Sequence, residues 1–345
     1  CALVDSRDRR LAQSGDMPVL LAAMPFSVAA ALEYFPKPEP GDVVVLNDPF
    51  HGGAHLPDIT FVSPVYVEDA LVGFAANRAH HADVGGSTPG SVSGSATEIY
   101  QEGLRLLPVR LWRRGEVDAD LLRVILANVR TPRERQGDLR AQLAANQVGV
   151  QRLEALARAH GVGRFNEVVD AILDYSERRL REGLRALPAG TVAYADALDD
   201  DGRGHADIRI QAAITLDDGA VTVDFAGTAP QVEGPINAVL AVTASATYYA
   251  VRCFTDHTIP ANEGCYRPIR ILAPEGSLVH ARPPAPVVGG NLETSQRIVD
   301  VLLGALAQLD PARALAACQG TMNNLTLGGT DPRTGAPYTI YETMG

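Results

Sequence analysis

The chain has 345 residues, 46% of them hydrophobic and 21% charged, which is long enough for two or more lobes with their own cores. Its formal net charge of −11 leaves no basic stripe for the phosphates of nucleic acid or for an anionic membrane surface. No apolar run approaches the ~18 residues of a membrane-spanning helix, so the sequence predicts a protein that does not cross a membrane.

The first region is predicted to be rich in strands. Short runs of Val, Phe, Tyr and Thr follow one another from Val43 to about Leu111, among them "DVVVLND", "ITFVSPVYV" and "LVGFAANRA". Gly, Pro and Asp separate these runs, which is the pattern of strands joined by turns. We therefore expect a β-rich region over residues 1–118.

The pattern changes to helical periodicity between Ala119 and Leu187. Apolar residues recur at helical spacing in "DLRAQLAANQVGVQRLEALARAHG" and "RFNEVVDAILDYSERRLREGLRALPAG", and a glycine follows each run. The sequence predicts one short and two long amphipathic helices, which together form a helical segment over residues 119–188.

The third region, residues 189–345, mixes both patterns. Runs such as "IRIQAAITLDDGAVTVDF" alternate around Asp/Gly turns and predict antiparallel hairpins. "INAVLAVTASATYYAVRCF" and "ETSQRIVDVLLGALAQL" predict helices. The expected fold class is α+β, a mixed architecture of several lobes with a β-rich N-terminal region, a long-helix segment and a second mixed α/β region.

Both termini resemble the interior of a strand, and the chain begins at Cys1 without methionine. We expect a fragment of a longer chain, truncated at the C-terminus. Four cysteines, Cys1, Cys253, Cys265 and Cys318, lie far apart without CxxC spacing. That usage predicts reduced thiols and a cytoplasmic location.

Four of the eight histidines lie between His51 and His81, interleaved with aspartates. In "HLPD", His55 and Asp58 flank Pro57, which restricts the backbone and allows both side chains to face one cleft. An antiparallel return of the chain would place His80 of "RAHHAD" beside the start of its partner strand. His80 and His81 are neighbours on an extended segment, so they are expected to face opposite ways.

Two imidazoles and a carboxylate suit Mn, Fe or Zn and leave positions open for water or substrate. The neighbouring Asp48, His51, His81 and Asp83 are candidates for hydrogen bonds that orient the ligands, or for alternative ligands. The competing interpretation is that these are ordinary hydrogen-bonded loop residues, because HxxD spacing alone is a weak signal. Turn residues such as Asn291 in "GGNLETSQR" favour structural capping over anion binding.

The glycine-rich "GSTPGSVSG" lacks the lysine and the strand-to-helix context of a phosphate-binding loop. A flexible loop at the active site is the preferred interpretation, and a phosphate cradle is the alternative. The sequence also contains no GxxxxGK[ST] run, so any nucleotide chemistry is expected to reside on a partner.

Several motifs in order along the chain resemble the hydantoinase B/oxoprolinase family. They include "GDVVVLNDPFHGGAHLPDITFVSPVY", "ANRAHHADVGG", "EIYQEGLRLLPVRL", "DFAGTAPQVEGPINA" and "GGNLETSQRIVDVLLGALAQ". The resemblance implies a divalent metal site, with manganese expected ahead of zinc or iron. His55, Asp58 and His80 are the implied ligands, and His81 is an alternative third ligand. Glu102 in "YQEGLR" is a candidate for acid/base catalysis, and a solvated or ion-paired glutamate is the alternative.

The resemblance also implies a function. We expect a metal-dependent B-type subunit of an ATP-dependent cyclic amidohydrolase, a hydrolase acting on C–N bonds. It would open a hydantoin or 5-oxoproline-like lactam after an A-type subunit with an actin-like ATPase fold has phosphorylated the substrate. The alternatives are the alpha-type subunit of an ATP-dependent, acetone-like ketone carboxylase and a non-catalytic assembly subunit.

Overall fold

Three β-sheets and seven α-helices are formed by residues 1–15 and 17–344, the part of the chain that the computed structural model describes. The sheets have seven, four and two strands. This mixture confirms the predicted α+β class. Within those residues, none of the helices combines the length and the apolar character needed to cross a membrane.

The seven-stranded sheet carries the candidate site. Its strands are β1 (Ala2–Asp5), β2 (Arg10–Gln13), β3 (Val43–Leu46), β4 (Asp58–Val67), β5 (Ala70–His80), β6 (Val109–Arg113) and β7 (Glu116–Val117). They lie in the order β2-β1-β5-β4-β3-β6-β7, and every neighbouring pair is antiparallel. The predicted β-rich start of the chain is therefore confirmed.

Four helices belong to the first half of the chain: α1 (Ala23–Tyr34), α2 (Ala119–Ala127), α3 (Pro132–His160) and α4 (Val162–Arg185). Asp118 caps α2 by accepting a hydrogen bond from the backbone N–H of Leu121 at 3.0 Å. Gly161 alone separates α3 from α4 at a φ of +78°, a conformation that glycine adopts without a Cβ clash. The prediction of two long helices after a shorter one is confirmed.

Both faces of this sheet are covered by helices, so β4 is buried along almost its whole length. Helix α1 lies on one face, where Val28 packs with Val62 and Ala76. Helix α3 lies on the other face, where Leu153 packs with Ala75. Side chains alternate along a strand, so the even-numbered positions at the paired ends of β4 and β5 face the α1 side.

The second sheet consists of β8 (Gly190–Asp200), β9 (Ala206–Asp217), β10 (Ala220–Asp224) and β11 (Ile269–Leu272). It has the order β11-β10-β9-β8; the predicted hairpins β8–β9 and β9–β10 are antiparallel, and β11 is parallel to β10. The accompanying helices are α5 (Leu240–Cys253), α6 (Glu263–Tyr266) and α7 (Ser295–Leu306). A π-helical turn, Gly290–Thr294, precedes α7.

A last hairpin, β12 (Asn323–Thr330) and β13 (Pro337–Met344), packs on the turn at Pro89–Ser91. Gly328 permits this approach, because a Cβ at that position would collide with the ring of Pro89. The division into segments 1–118, 119–188 and 189–345 stays a prediction, although α3 packs directly on β4 and β5.

Candidate metal and substrate site

His55, Asp58 and His80 come together at one end of strands β4 and β5. Asp58 begins β4 and pairs with His80, the last residue of β5. Nδ1 of His55, in the preceding loop, lies 2.9 Å from Oδ2 of Asp58. The ring centroids of His55 and His80 are 5.1 Å apart. The antiparallel return expected from the sequence is therefore present and brings the three predicted ligands together.

The loop that carries His55 is held by its own polar side chains. Asn47 donates from Nδ2 to the carbonyls of Leu56 at 2.7 Å and Leu104 at 2.9 Å. Gly53 packs so closely on the carbonyl of Asn47 that a Cβ there would collide with it. The position of His55 therefore follows from backbone contacts on both sides of it.

Three ring nitrogens of His55 and His80 have no hydrogen-bond partner in the described part of the protein. Nε2 of His55 and both ring nitrogens of His80 are buried and unpaired. Burial, followed by the neighbouring His55, lowers the pKa of His80 to about 4, so its imidazole is neutral at pH 7. The hydrogen bond to Asp58 places the proton of a neutral His55 on Nδ1, which leaves the Nε2 lone pair available.

Asp58 is ionised beside these rings. Burial opposes its ionisation, but His55 and Arg78 outweigh that cost and lower the pKa of Asp58 to about 2. Imidazole nitrogens and a carboxylate are the donor types that Mn, Zn and Fe take. These residues fit a divalent metal by chemistry. Within residues 1–15 and 17–344, however, no three His, Cys, Asp or Glu side chains already stand at the spacing of a metal centre.

A cavity of about 250 Å³ opens beside the three residues. Its polar lining includes His55, Asp58, Arg78, His80 and Asn291. Val19, Leu20, Met24, Leu292 and Met322 supply apolar lining. The ring of Tyr341 in β13 stacks on His80 with centroids 4.3 Å apart, and its hydroxyl donates to Oδ1 of Asn324 at 2.5 Å. This mainly apolar cavity with converging polar groups has the character of a small-molecule site.

Comparison with known proteins places this chain in a family. The family profile described as hydantoinase B/oxoprolinase matches residues 1–345. The chain belongs to the hydantoinase B/oxoprolinase family. The resemblance found in the sequence motifs is thereby confirmed.

The curated relatives with functional names include a hydantoinase subunit and a 5-oxoprolinase. The chain is 32% identical to a putative B-type subunit of a D-/L-hydantoinase from Pseudomonas sp. (strain NS671), over 99% of this chain and 60% of that protein. It is 34% identical to 5-oxoprolinase 1 of Arabidopsis thaliana, over 100% of this chain and 28% of that protein. The chain thus spans only part of the length of these relatives.

Two solved structures share the fold. The ATP-dependent caprolactamase from Pseudomonas jessenii matches with a TM-score of 0.93 and 30% identity, over 98% of this chain and 58% of that one. A nucleotide-free acetone carboxylase matches with a TM-score of 0.84 and 17% identity, over 99% of this chain and 47% of that one. Because the identity to acetone carboxylase is only 17%, this similarity shows a shared fold and nothing more.

Glu102, the candidate acid/base residue, does not line the cavity. Its buried carboxyl accepts hydrogen bonds at Oε1 from the backbone N–H groups of Val287 at 2.7 Å and Val288 at 3.0 Å, while Oε2 is buried without a partner. Burial raises the pKa of Glu102 to about 8, and the two amides only partly offset this. The carboxyl thus joins the turn at Ile99–Gln101 to the segment that leads to Asn291.

Asp48 and His51 also lie outside the cavity lining. Asp48 accepts hydrogen bonds from the backbone N–H of Phe50 at 2.8 Å and from the guanidinium of Arg105, and it lies 3.2 Å from Nδ1 of His51. His51 is partly exposed and meets the ring of Tyr34 edge-on. Both residues shape the turn that follows β3.

His81 lies on the opposite side of the sheet end from His80, as strand alternation predicts. Its Nε2 is 2.8 Å from Oε1 of Gln142 on α3, and its backbone N–H donates to the carbonyl of Pro57. His81 thus packs under α3, whereas His80 lines the cavity.

Asp83 holds the glycine-rich segment in place through hydrogen bonds to its backbone. Its two oxygens accept hydrogen bonds from the backbone N–H groups of Gly85, Gly90 and Arg130 and from Nη1 of Arg130, all at 2.9–3.0 Å. The amides of Gly85 and Gly90 are therefore already bonded, which disfavours the alternative of a phosphate cradle built from them.

The cavity residues that were not among the ligands and catalytic groups predicted from sequence include Arg78, Asn291 and Tyr341. Arg78 had a usable signal, because it lies two positions before His80 on a predicted strand and so shares its face. Oδ1 of Asn291 is buried without a partner, although capping was the favoured interpretation of its motif. Tyr341 is distant in sequence from the other cavity residues and had no local signal.

Proposed function

We propose that this chain is the B-type part of an ATP-dependent cyclic amidohydrolase that opens a hydantoin or a 5-oxoproline-like lactam. The observation that carries the proposal is a cavity where imidazole nitrogens of His55 and His80 without protein partners lie beside the ionised carboxylate of Asp58. Family membership and the name of the caprolactamase, which indicates ATP-dependent action on a lactam, support this substrate class.

An unstrained lactam is a poor electrophile, so its carbonyl carbon must be activated before water attacks it. The sequence has no phosphate-binding loop motif, which supports a division of labour with an A-type, actin-like ATPase subunit that phosphorylates the amide oxygen. We place the reaction in the cytoplasm, where ATP is available and where the thiols of Cys253, Cys265 and Cys318 stay free.

A divalent metal held by His55, Asp58 and His80, with Mn preferred over Zn or Fe, would polarise a carbonyl or acidify a water molecule. Asp58 fixes the tautomer of His55 and so keeps its Nε2 lone pair directed away from the carboxylate. The unpaired Oδ1 of Asn291 is suited to accept a hydrogen bond from the N–H of a ring amide and so to orient it. Tyr341 and the apolar lining limit the access of bulk water to the activated carbon.

The proposal is tested with full-length protein, its A-type partner and ATP, by measuring ring opening of 5-oxoproline and hydantoin without bicarbonate. We expect ATP-dependent product and a stoichiometric divalent metal in the purified protein. Turnover of acetone that depends on bicarbonate would instead establish the ketone carboxylase alternative. Absence of both activities, with no metal bound, would favour the assembly role.

A change of a few-fold in KM is expected when the aromatic ring of Tyr341, which stacks on His80, is removed. Replacing Tyr341 with Leu removes the stacking contact but keeps an apolar cover, so KM for the cyclic amide should rise about five-fold, or ~1 kcal/mol. Tyr341→Phe keeps the ring and should leave KM within about two-fold. Steady-state kinetics of both variants provide the measurement, and equal KM values for Tyr341→Leu and wild type would contradict a substrate-covering role.

A further inference from the structure

Arg78 brings a positive charge into the cavity with part of its hydrogen-bonding capacity unused. Nε donates to Oγ1 of Thr60 at 2.8 Å, and Nη2 donates to Oγ of Ser27 at 2.7 Å and to the carbonyl of Gly52 at 3.1 Å. Nη1 is buried and has no partner. A guanidinium stays protonated in proteins, so two N–H bonds of a permanent cation remain available beside the cavity.

The partners of Arg78 differ from those of comparable arginines in the same lobe. Arg105 pairs with Asp48, Arg110 with Asp42 at 3.4 Å and Arg130 with Asp83 at 2.9 Å. The partners of Arg78 within the described chain are neutral oxygens, and Asp58 attracts it without forming an ion pair within 4.0 Å. Burying a cation is costly unless an anion compensates it, so this guanidinium lacks an anionic partner.

The location of Arg78 indicates what that anion is. Arg78 precedes His80 by two residues on β5 and shares its face, and Thr60, its hydrogen-bond partner, lies opposite it on β4. Any group bound at Nη1 therefore lies beside the imidazoles of His80 and His55. Two N–H bonds from one guanidinium nitrogen suit the oxygens of a phosphate or a carboxylate.

We propose that Nη1 of Arg78 binds the phosphoryl group of the activated substrate and holds its carbon next to His55, Asp58 and His80. This inference rests on the proposed function, because that function supplies a phosphorylated cyclic amide. A phosphoryl group is favoured over a substrate carboxylate for a chemical reason. Hydantoin has no carboxylate, whereas every substrate activated by ATP at the amide oxygen has the phosphoryl group close to the reacting carbon.

The binding experiment uses inorganic phosphate alone, titrated into the full-length protein in the presence of EDTA so that metal-bound phosphate does not contribute. Isothermal titration calorimetry and the rise in Tm with phosphate report binding, with chloride at matched ionic strength as the reference. We expect wild type to bind phosphate and Arg78→Gln to bind it at least ten-fold more weakly. Arg78→Lys keeps the charge and should retain a measurable part of the affinity.

Arg110→Gln is the matched control. Arg110 lies in the same sheet and is similarly shielded, but it pairs with Asp42 and stacks on Phe35 away from the cavity. It should bind phosphate as wild type does. Tm without phosphate shows whether each variant folds, and the conservative lysine variant keeps the test decisive if Arg78→Gln proves unstable.

This test separates failure of the inference from failure of the proposed function, because phosphate binding requires no turnover. Equal phosphate affinity in wild type and Arg78→Gln, or no binding by wild type, overturns the role of Arg78 whatever the ring-opening assay shows. Kinetics separate the two anions. A kcat reduced about ten-fold or more for both hydantoin and 5-oxoproline supports phosphoryl binding, whereas a raised KM for 5-oxoproline alone assigns Arg78 to a carboxylate and overturns the proposal.

Discussion

His80→Ala is expected to lower ATP-dependent ring opening by about a thousand-fold and to remove the bound divalent metal. His80 contributes buried, unpaired nitrogens and a neutral ring at pH 7, and it lies directly opposite Asp58 in the sheet. Under the proposed function, loss of one of the three proposed ligands would remove the positioning and the charge stabilisation that a metal would provide at the carbonyl. Steady-state rates and elemental analysis of purified full-length protein measure both effects.

His81→Ala provides the matched comparison, since the two histidines are adjacent in sequence and differ in the face they occupy. Loss of the contact to Gln142 should lower the free energy of unfolding by about 1–3 kcal/mol while metal content and kcat change little. The reverse result, with metal lost in His81→Ala and retained in His80→Ala, would make His81 the third ligand and require the end of β5 to rotate.

Strand alternation accounts for how much of the candidate site could be predicted. The turn residues between two apolar runs predicted an antiparallel pair, and that pairing placed His80 opposite Asp58. The same alternation separated His80 from His81. These inferences concern neighbouring strands, where local sequence patterns determine geometry and few alternatives compete.

Local sequence patterns did not predict the contacts between segments that are distant in sequence. Asn291 enters the cavity from the π-helical turn before α7, and Tyr341 enters from the final hairpin. Their motifs predicted a helix start and a strand, but no local pattern states which lobe packs against which. Asp48 pairs with Arg105 and Asp83 pairs with Arg130, and both arginines are distant in sequence from their partners. The crowding of acidic residues near His55 therefore did not predict their contacts.

Two charged side chains that line the cavity, Asp58 and Arg78, have opposite charges but are not in direct contact. Asp58 is held ionised by His55 and Arg78, and the neutral His80 adds no positive charge. The cavity therefore contains one carboxylate and one guanidinium that are close enough to influence each other but form no ion pair. A metal beside Asp58 and a phosphoryl group beside Arg78 would each satisfy the group it approaches.

Glu102 presents the opposite situation, a carboxyl buried beside two backbone amides and no cation. Its pKa of about 8 in the folded protein compares with an ordinary value of 4.5. Between these values the folded protein retains a proton that the unfolded chain has released, so the free energy of unfolding falls as pH rises. The loss approaches ~1.4 kcal/mol for each pH unit and levels off above pH 8.

Glu102→Gln should remove this pH dependence. The amide oxygen of glutamine can still accept from the N–H groups of Val287 and Val288, and the side chain has no proton to lose. We expect similar free energies of unfolding for wild type and variant near pH 5, and a variant that is more stable by a few kcal/mol near pH 8. Urea unfolding of both proteins across this pH range gives the comparison, with the exposed Glu116→Gln as the control that should show no such divergence.

The same variant decides between the two interpretations of Glu102. A carboxyl that joins Val287 and Val288 to the first lobe, without lining the cavity, should leave kcat within about two-fold when it becomes an amide. An acid/base catalyst would lose about a hundred-fold or more in kcat, because glutamine cannot exchange a proton. Retained activity together with the stability gain near pH 8 would assign Glu102 to the structural contact with Val287 and Val288, whereas lost activity would place its proton in the reaction.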